Sequence, residues 1–187
     1  MLVDLTLLVT PNMMVDAQGR EKKALTGHLG THFDVMNKEF PLEYVERDGV
    51  VFDVRGVRGA DIEANDIDMA QVASGMFIAF HTGFLGEVGY GSEPYFKEHP
   101  QISEELMQLL VAKGVSIIAI DCAGIRRGTG HVPADQYCAD HNVFVVENVC
   151  NLEVVLASNA FANFTACTYP VNFGGMTGLP CRVVAKV

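Results

Sequence analysis

The sequence predicts a mixed α/β fold with more strand than helix. Three observations carry this. Residues 115–120 are a continuous apolar run directly after an amphipathic helical segment, a helix-then-buried-strand unit. Residues 76–80 and 143–146 are short apolar runs of buried-strand length. Residues 164–169 and 182–187 read as a closing strand pair, with Gly174-Gly175 and Thr177-Gly178 as turns between them.

Taken in order, residues 2–9 predict a short apolar strand ended by Thr10-Pro11-Asn12. Residues 49–57 alternate and are β-branched, so they read as a strand. Residues 61–72 have a polar start and apolar residues at three-to-four spacing, which suggests a short helix. The strand at 76–80 ends at His81-Thr82-Gly83, and 86–94 is glycine-rich loop. Residues 103–113 give the clearest helix. Ser103 is its N-cap, Glu104 and Glu105 favour the positive end of the helix dipole, Leu106, Leu109 and Leu110 make the apolar face, and Gly114 stops it. Residues 135–140 and 152–157 are short helical segments, and the strand at 143–146 runs into Glu147. Nothing repeats and no linker divides the chain, so residues 1–187 are expected to be one domain.

Composition narrows the function. The 187 residues are 49% hydrophobic and 19% charged, which is a globular balance with enough chain to bury a core. A formal net charge of −10 argues against nucleic acid and against an anionic membrane surface, both of which need clustered Lys and Arg. Asp4 interrupts the apolar start and no basic segment precedes it, so no signal peptide is expected. No apolar run approaches the length of a membrane span. The five cysteines are widely spaced with no CxxC pair, which reads as reduced thiols of a cytoplasmic protein.

The most informative segment is His28-Leu29-Gly30-Thr31-His32-Phe33-Asp34. Two imidazoles and a carboxylate form a donor set that zinc or manganese accepts, and three protein ligands leave open positions for water or substrate. A flat strand would point residues 28, 32 and 34 to one face but would separate 28 from 32 by roughly 13 Å. Ligands at about 2.1 Å from one ion cannot span that. The chain must bend between the histidines, and Gly30 is the residue that tolerates it.

These residues resemble the cyclase-type metal-dependent hydrolases, whose best-known members are bacterial kynurenine formamidases. The resemblance runs through Asp4-Leu5-Thr6, the 28–34 motif, Phe40-Pro41-Leu42, Thr82-Gly83, Tyr95-Phe96, His99-Pro100 and Ile102-Ser103. It continues with 114–121, Val146-Glu147-Asn148, Asn151-Leu152 and Gly178-Leu179-Pro180 before Arg182. It implies a layered β/β/α domain of swivelling type with a mixed sheet core, assembled as a homodimer or homotetramer. It also implies metal-dependent hydrolysis of an amide or related carbonyl bond of a small molecule, as in an arylformamidase. His28, His32 and Asp34 would be metal ligands, and Glu147 an acidic residue that also reaches the metals.

Two positions depart from the family pattern. The proline and histidine usual after the aspartate are replaced by Met36 and Lys38. The histidine usual about twelve residues before the glutamate falls on Asp135, flanked by His131 and His141. The first metal position is therefore expected to be complete and the second altered, with one ion per chain favoured and two possible. Lys38 beside Asp34, Glu147 or Asp135 would replace the charge of a second metal, hold a substrate oxygen or serve as the base. Glu147 or His81 would move protons to the leaving group.

Two other readings stand beside this one. Cys122, after a buried strand and next to Asp121, would be the nucleophile of a cysteine hydrolase. Alternatively the chain is a degenerate, non-catalytic relative that binds a metal or a small acid. Gly124, Gly128 and Gly130 with Arg126 and Arg127 lack the Gly-Lys-Ser/Thr of a phosphate loop and read as a flexible loop near the site.

Overall fold

The computed structural model describes residues 1–8 and 27–187. Its described strands are β1 (Leu2–Asp4), β2 (His32–Asp34), β3 (Glu46–Asp53), β4 (Phe77–His81), β5 (Ile117–Ile120), β6 (Phe144–Glu147), β7 (Phe161–Pro170) and β8 (Gly178–Lys186). The sheet runs β8-β2-β6-β5-β4-β3-β7, and β7 pairs again with β8. Seven strands therefore close on themselves like a barrel, with β1 added along β8. What the resemblance implied as β/β layering is a single closed sheet. It is mixed, as expected: β3 to β6 are parallel neighbours, while β2, β7 and β8 pair antiparallel.

The continuous apolar runs have a simple cause: both faces of these strands are buried. Val51, Phe77, Ala79, Ile117, Ala119, Phe144 and Val146 point inside the closed sheet, where Phe33, Val183 and Ala185 join them. Val50, Phe52, Ile78, Phe80, Ile118, Ile120 and Val145 point outward, under helices. Period two along each strand assigns the faces.

The helices are α1 (Phe84–Val88), α2 (Glu93–Lys97), α3 (Glu104–Ala112), α4 (His131–Asp140) and α5 (Leu152–Leu156). The α3 helix forms as its sequence dictates. Ser103 Oγ accepts from Leu106 N at 3.0 Å, a cap worth about 1 kcal/mol, and Leu106, Met107 and Leu110 are buried. Leu106 and Leu110 of α3, with Ala134 and Cys138 of α4, cover the outward face of the parallel strands.

Several boundaries differ from the sequence expectation. Residues 61–72 are two short 3₁₀ turns, Ala64–Asp66 and Met69–Gln71. Asp66 and Asp68 bond to nearby backbone N–H groups there, which competes with a continuing helix. The glycine-rich stretch 86–94 carries the end of α1 and the start of α2. The segment expected at 135–140 begins a turn earlier, at His131. The expected strand 2–9 is β1 alone, and its end at Val9, Thr10, Pro11 and Asn12 lies outside the described residues. Among the described residues, no helix is long and apolar enough to cross a membrane.

Candidate metal centre

The β2 strand is short, but its register decides the site. Phe33 points inside the closed sheet, so His32 and Asp34 must point out, toward α4. Across the antiparallel pair, His32 stands opposite Glu147 and Asp34 opposite Val145. On α4, His131 and Asp135 are four residues apart and so share one face.

Gly30 makes the expected bend, with φ of 69°. It returns His28 to His32: Nδ1 of the first lies 3.1 Å from Nε2 of the second. Asp34 Oδ1 is 3.0 Å from His28 Nδ1 and 3.7 Å from His32 Nε2. Tetrahedral ligands at about 2.1 Å from an ion stand roughly 3.4 Å from one another, so these three atoms have the spacing of a metal face. A second triplet lies beside it. His131 Nε2 is 3.4 Å from Asp135 Oδ2 and 3.5 Å from Glu147 Oε1. The other oxygen of Glu147 is 3.5 Å from His32 Nε2, so this carboxylate stands between the triplets.

Each imidazole is held by its other nitrogen. His32 Nδ1–H donates to the Gly30 carbonyl at 2.8 Å, and His131 Nδ1–H to the Arg126 carbonyl at 3.1 Å. His28 Nε2 meets Thr177 Oγ1 at 2.9 Å. Such anchors fix the tautomer and leave a lone pair facing inward, the usual support of metal-ligating histidines. The Gly30 carbonyl is fixed in turn by Asn148 Nδ2 at 2.9 Å, and Asn148 Oδ1 accepts from Tyr95 Oη at 2.7 Å.

Charge is the test of fit. Asp34, Asp135 and Glu147 are at most 5% exposed. Asp34 Oδ2 and Asp135 Oδ1 are buried with no hydrogen-bond donor among the described residues. Burial pushes His32 toward its neutral form, against the pull of Asp34. Burial also works against ionising Asp34, but His32 and then His28 and His131 outweigh it and hold that carboxyl below its usual range. Burial, then the charge of Asp34, pushes Asp135 well above the usual range. Crowded buried carboxyl groups around imidazole nitrogens are costly alone and suited to divalent cations. The residues present fit the metal.

The remaining candidates fall elsewhere. Lys38 Nζ is 2.7 Å from Asp140 at the far end of α4, on a half-exposed pair. It forms no ion pair with Asp34, Asp135 or Glu147, so the expected charge replacement is not what the structure places there. After β2 the chain turns at Met36, with φ of 55°, and leaves the site, and Asp140 receives the lysine. His81 is held by Asp121 at 3.2 Å and lines a different cavity, with Arg55, Glu87 and Glu153. It is not beside the metal triplets, which corrects its expected role with the leaving group. Asp121 also accepts from Thr82 N and Gly83 N, so this pair fixes the turn after β4. Cys122 is fully buried, shares a hydrogen bond with Thr82 Oγ1, and has its thiol pushed well up by burial and then by Asp121. That is the wrong environment for a nucleophile. His141 stays at the end of α4 on the Tyr137 carbonyl.

The triplets open into a cavity of about 360 Å³ lined by His28, Tyr90, Phe96, His99, Arg127, His131, Glu147 and Asn148, among others. Tyr90, Thr177 and Asn148 were not anticipated from the sequence, because nothing local distinguishes a supporting hydroxyl or amide. His131 had a signal: it precedes Asp135 by one helical turn.

The family model described as "Putative cyclase" matches residues 3–126, more than half of the chain. The chain belongs to the cyclase family. Among curated proteins, none matches this chain. Solved structures share the fold. A "potential metal-dependent hydrolase with cyclase activity" is 21% identical, with a TM-score of 0.74, covering 99% of this chain and 98% of the other. A predicted metal-dependent hydrolase from Bacillus stearothermophilus is 20% identical, with a TM-score of 0.74 and coverage of 99% and 97%. Isatin hydrolase A from Labrenzia aggregata is 18% identical, with a TM-score of 0.71 and coverage of 99% and 93%. In this cyclase-family chain His28 of the motif and His131 of α4 line one cavity, together with Glu147.

Proposed function

We propose that this protein is a metal-dependent hydrolase that cleaves an amide or related carbonyl bond of a small molecule. The observation that carries the reading is a pair of three-donor groups, His28–His32–Asp34 and His131–Asp135–Glu147, with His28, His131 and Glu147 lining one cavity. Lys38 pairs with Asp140, so it is not Lys38 that offsets the second group of carboxylates. With a second three-donor group in place, that favours two ions per chain, zinc or manganese, over one ion with Lys38 as the substitute.

Divalent ions here would polarise a carbonyl and bring the pKa of bound water toward neutrality. The protein's own part is positional. Gly30 and Asn148 hold His32, and Thr177 holds His28, so that the donor atoms are set before an ion arrives. Glu147 faces the cavity between the triplets. It takes the proton of the attacking water and returns it to the leaving nitrogen or oxygen. Tyr90 and Phe96 give the cavity an aromatic wall and Arg127 a cation. This lining suits an aryl amide, lactam or formamide carrying an acidic group, in line with an arylformamidase-like activity.

The test joins elemental analysis to turnover. Protein incubated with zinc or manganese should hold about two ions per chain, and His28→Ala should hold fewer. The loaded protein should hydrolyse at least one of formanilide, isatin and a simple lactone. Failure to retain any divalent ion would end the hydrolase reading. Metal retention without turnover would move it to a non-catalytic binding protein.

A further inference from the structure

The glycine-flanked tyrosine of the 86–94 stretch has no part in the donor groups, yet its hydroxyl reaches the bend between the motif histidines. Tyr90 Oη accepts the backbone N–H of Gly30 at 3.0 Å, at the bend between the two motif histidines. Its side chain lines the same cavity as His28 and Glu147. Gly89 and Gly91, with φ of 80° and 92°, let the chain turn on either side of it. The ring is held against Tyr95 and Phe96, with centroids 5.5 Å and 6.1 Å away.

The hydroxyl has one donor role left. Its oxygen is occupied by Gly30 N–H, which fixes the phenol in place. Among the described residues no acceptor takes its proton. A phenol O–H, fixed as an acceptor and open as a donor, at the rim of a carbonyl-hydrolysing site is a preorganised oxyanion partner. Burial, opposed in part by the Gly30 bond and helped by the nearby Glu147 charge, keeps the phenol protonated, as a donor must be.

Building on the hydrolase reading above, we propose that Tyr90 donates the hydrogen bond that holds the substrate's carbonyl oxygen as it becomes an oxyanion. The water oxygen bonds to the carbonyl carbon, and its proton goes to Glu147. The C=O π pair moves onto the carbonyl oxygen, where Tyr90 Oη–H donates a hydrogen bond and keeps its proton. The pair then returns to re-form C=O, the C–N bond breaks, and the leaving nitrogen takes the proton from Glu147. Holding the substrate oxygen is the task that the sequence expectation gave to Lys38.

The experiment is Tyr90→Phe, measured at saturating metal on whichever of formanilide, isatin or lactone the wild type hydrolyses. Metal content is read by elemental analysis and metal affinity by titration. The expected result is kcat lower by about 100- to 1,000-fold, the effect of removing one oxyanion donor. KM should stay within about threefold and the full complement of metal should remain. A kcat within about threefold of wild type overturns the proposal. If the variant binds metal weakly and excess metal restores kcat, Tyr90 only positions the Gly30 bend, and the proposal is likewise overturned. If excess metal restores occupancy but not kcat, the proposal stands. A wild type that hydrolyses nothing in the panel defeats the hydrolase reading itself, and this proposal with it. An active wild type with an unimpaired Tyr90→Phe defeats the proposal alone.

Discussion

Glu147 stands directly opposite His32 across the β2–β6 pair, with Oε2 3.5 Å from Nε2. One register therefore sets two things at once. It delivers a carboxylate to the motif histidines, and it leaves the other carboxylate oxygen 3.5 Å from His131 on the covering helix. A shift of one residue would send Glu147 inside the closed sheet and Val146 to the site.

The first prediction concerns that carboxylate. Glu147→Gln keeps the shape but removes the charge and the base. The loss of kcat should be on the order of 100-fold or more, with metal retention weakened in both triplets. Elemental analysis and steady-state kinetics check it. Wild-type turnover in the variant would take Glu147 out of the chemistry.

Gly124 separates the two triplets experimentally. It has φ of 129°, and a Cβ there would lie 2.4 Å from His131 Nδ1. Gly124→Ala must push the imidazole off its Arg126 anchor, while the His28 triplet is untouched. The expected outcome is a fall from about two ions per chain to about one, together with a stability loss of about 1–3 kcal/mol. Retention of both ions would show that His131 is not a ligand.

Thr177 tests the opposite side. Its Oγ1 is the partner of His28 Nε2 at 2.9 Å. Thr177→Val leaves that nitrogen without a partner, so the tautomer with Nδ1 free is no longer favoured. Metal affinity of the first triplet should fall about 10- to 100-fold. Thr177→Ser should retain it. Titration with a fluorescent zinc competitor reads both, and equal affinities in Val and Ser would remove Thr177 from the support.

Lys38 shows where sequence reasoning stopped. The motif spacing forced a bend at Gly30, and the structure has it, because a metal triplet and an extended strand are incompatible by several ångström. The helix-then-strand unit at α3–β5 was equally legible, since cap, apolar stripe and stop residue are all local. The destination of Lys38 was not local. It depends on the turn at Met36 and on the end of α4, which lies about a hundred residues away in the chain. The β7–β8 pair was legible, but the pairing of β8 with β2 and of β7 with β3 that closes the sheet, and the placing of His81 in a separate cavity, are likewise long-range results. Lys38→Met should therefore leave kcat within about twofold and the unfolding midpoint unchanged, since exposed pairs contribute little. A large loss of activity would restore Lys38 to the site.

His99 gives the pH prediction. It is 1% exposed, and its Nδ1–H donates to the Pro100 carbonyl at 2.8 Å. Burial pushes its pKa down to about 4 from 6.5, the Pro100 bond resisting only in part. Between those two values the unfolded chain takes a proton that the folded chain refuses. Stability contributed by the neutral imidazole is then complete above about pH 6.5 and is lost as pH falls toward 4. The loss comes to about 3 kcal/mol at the acid end. Denaturant unfolding of metal-free protein should show this slope, because metal release then plays no part. His99→Gln should flatten it by a similar amount. A His99 ring that titrates near 6.5 by NMR would mean that water reaches it in the folded protein, and the acid loss would need another source.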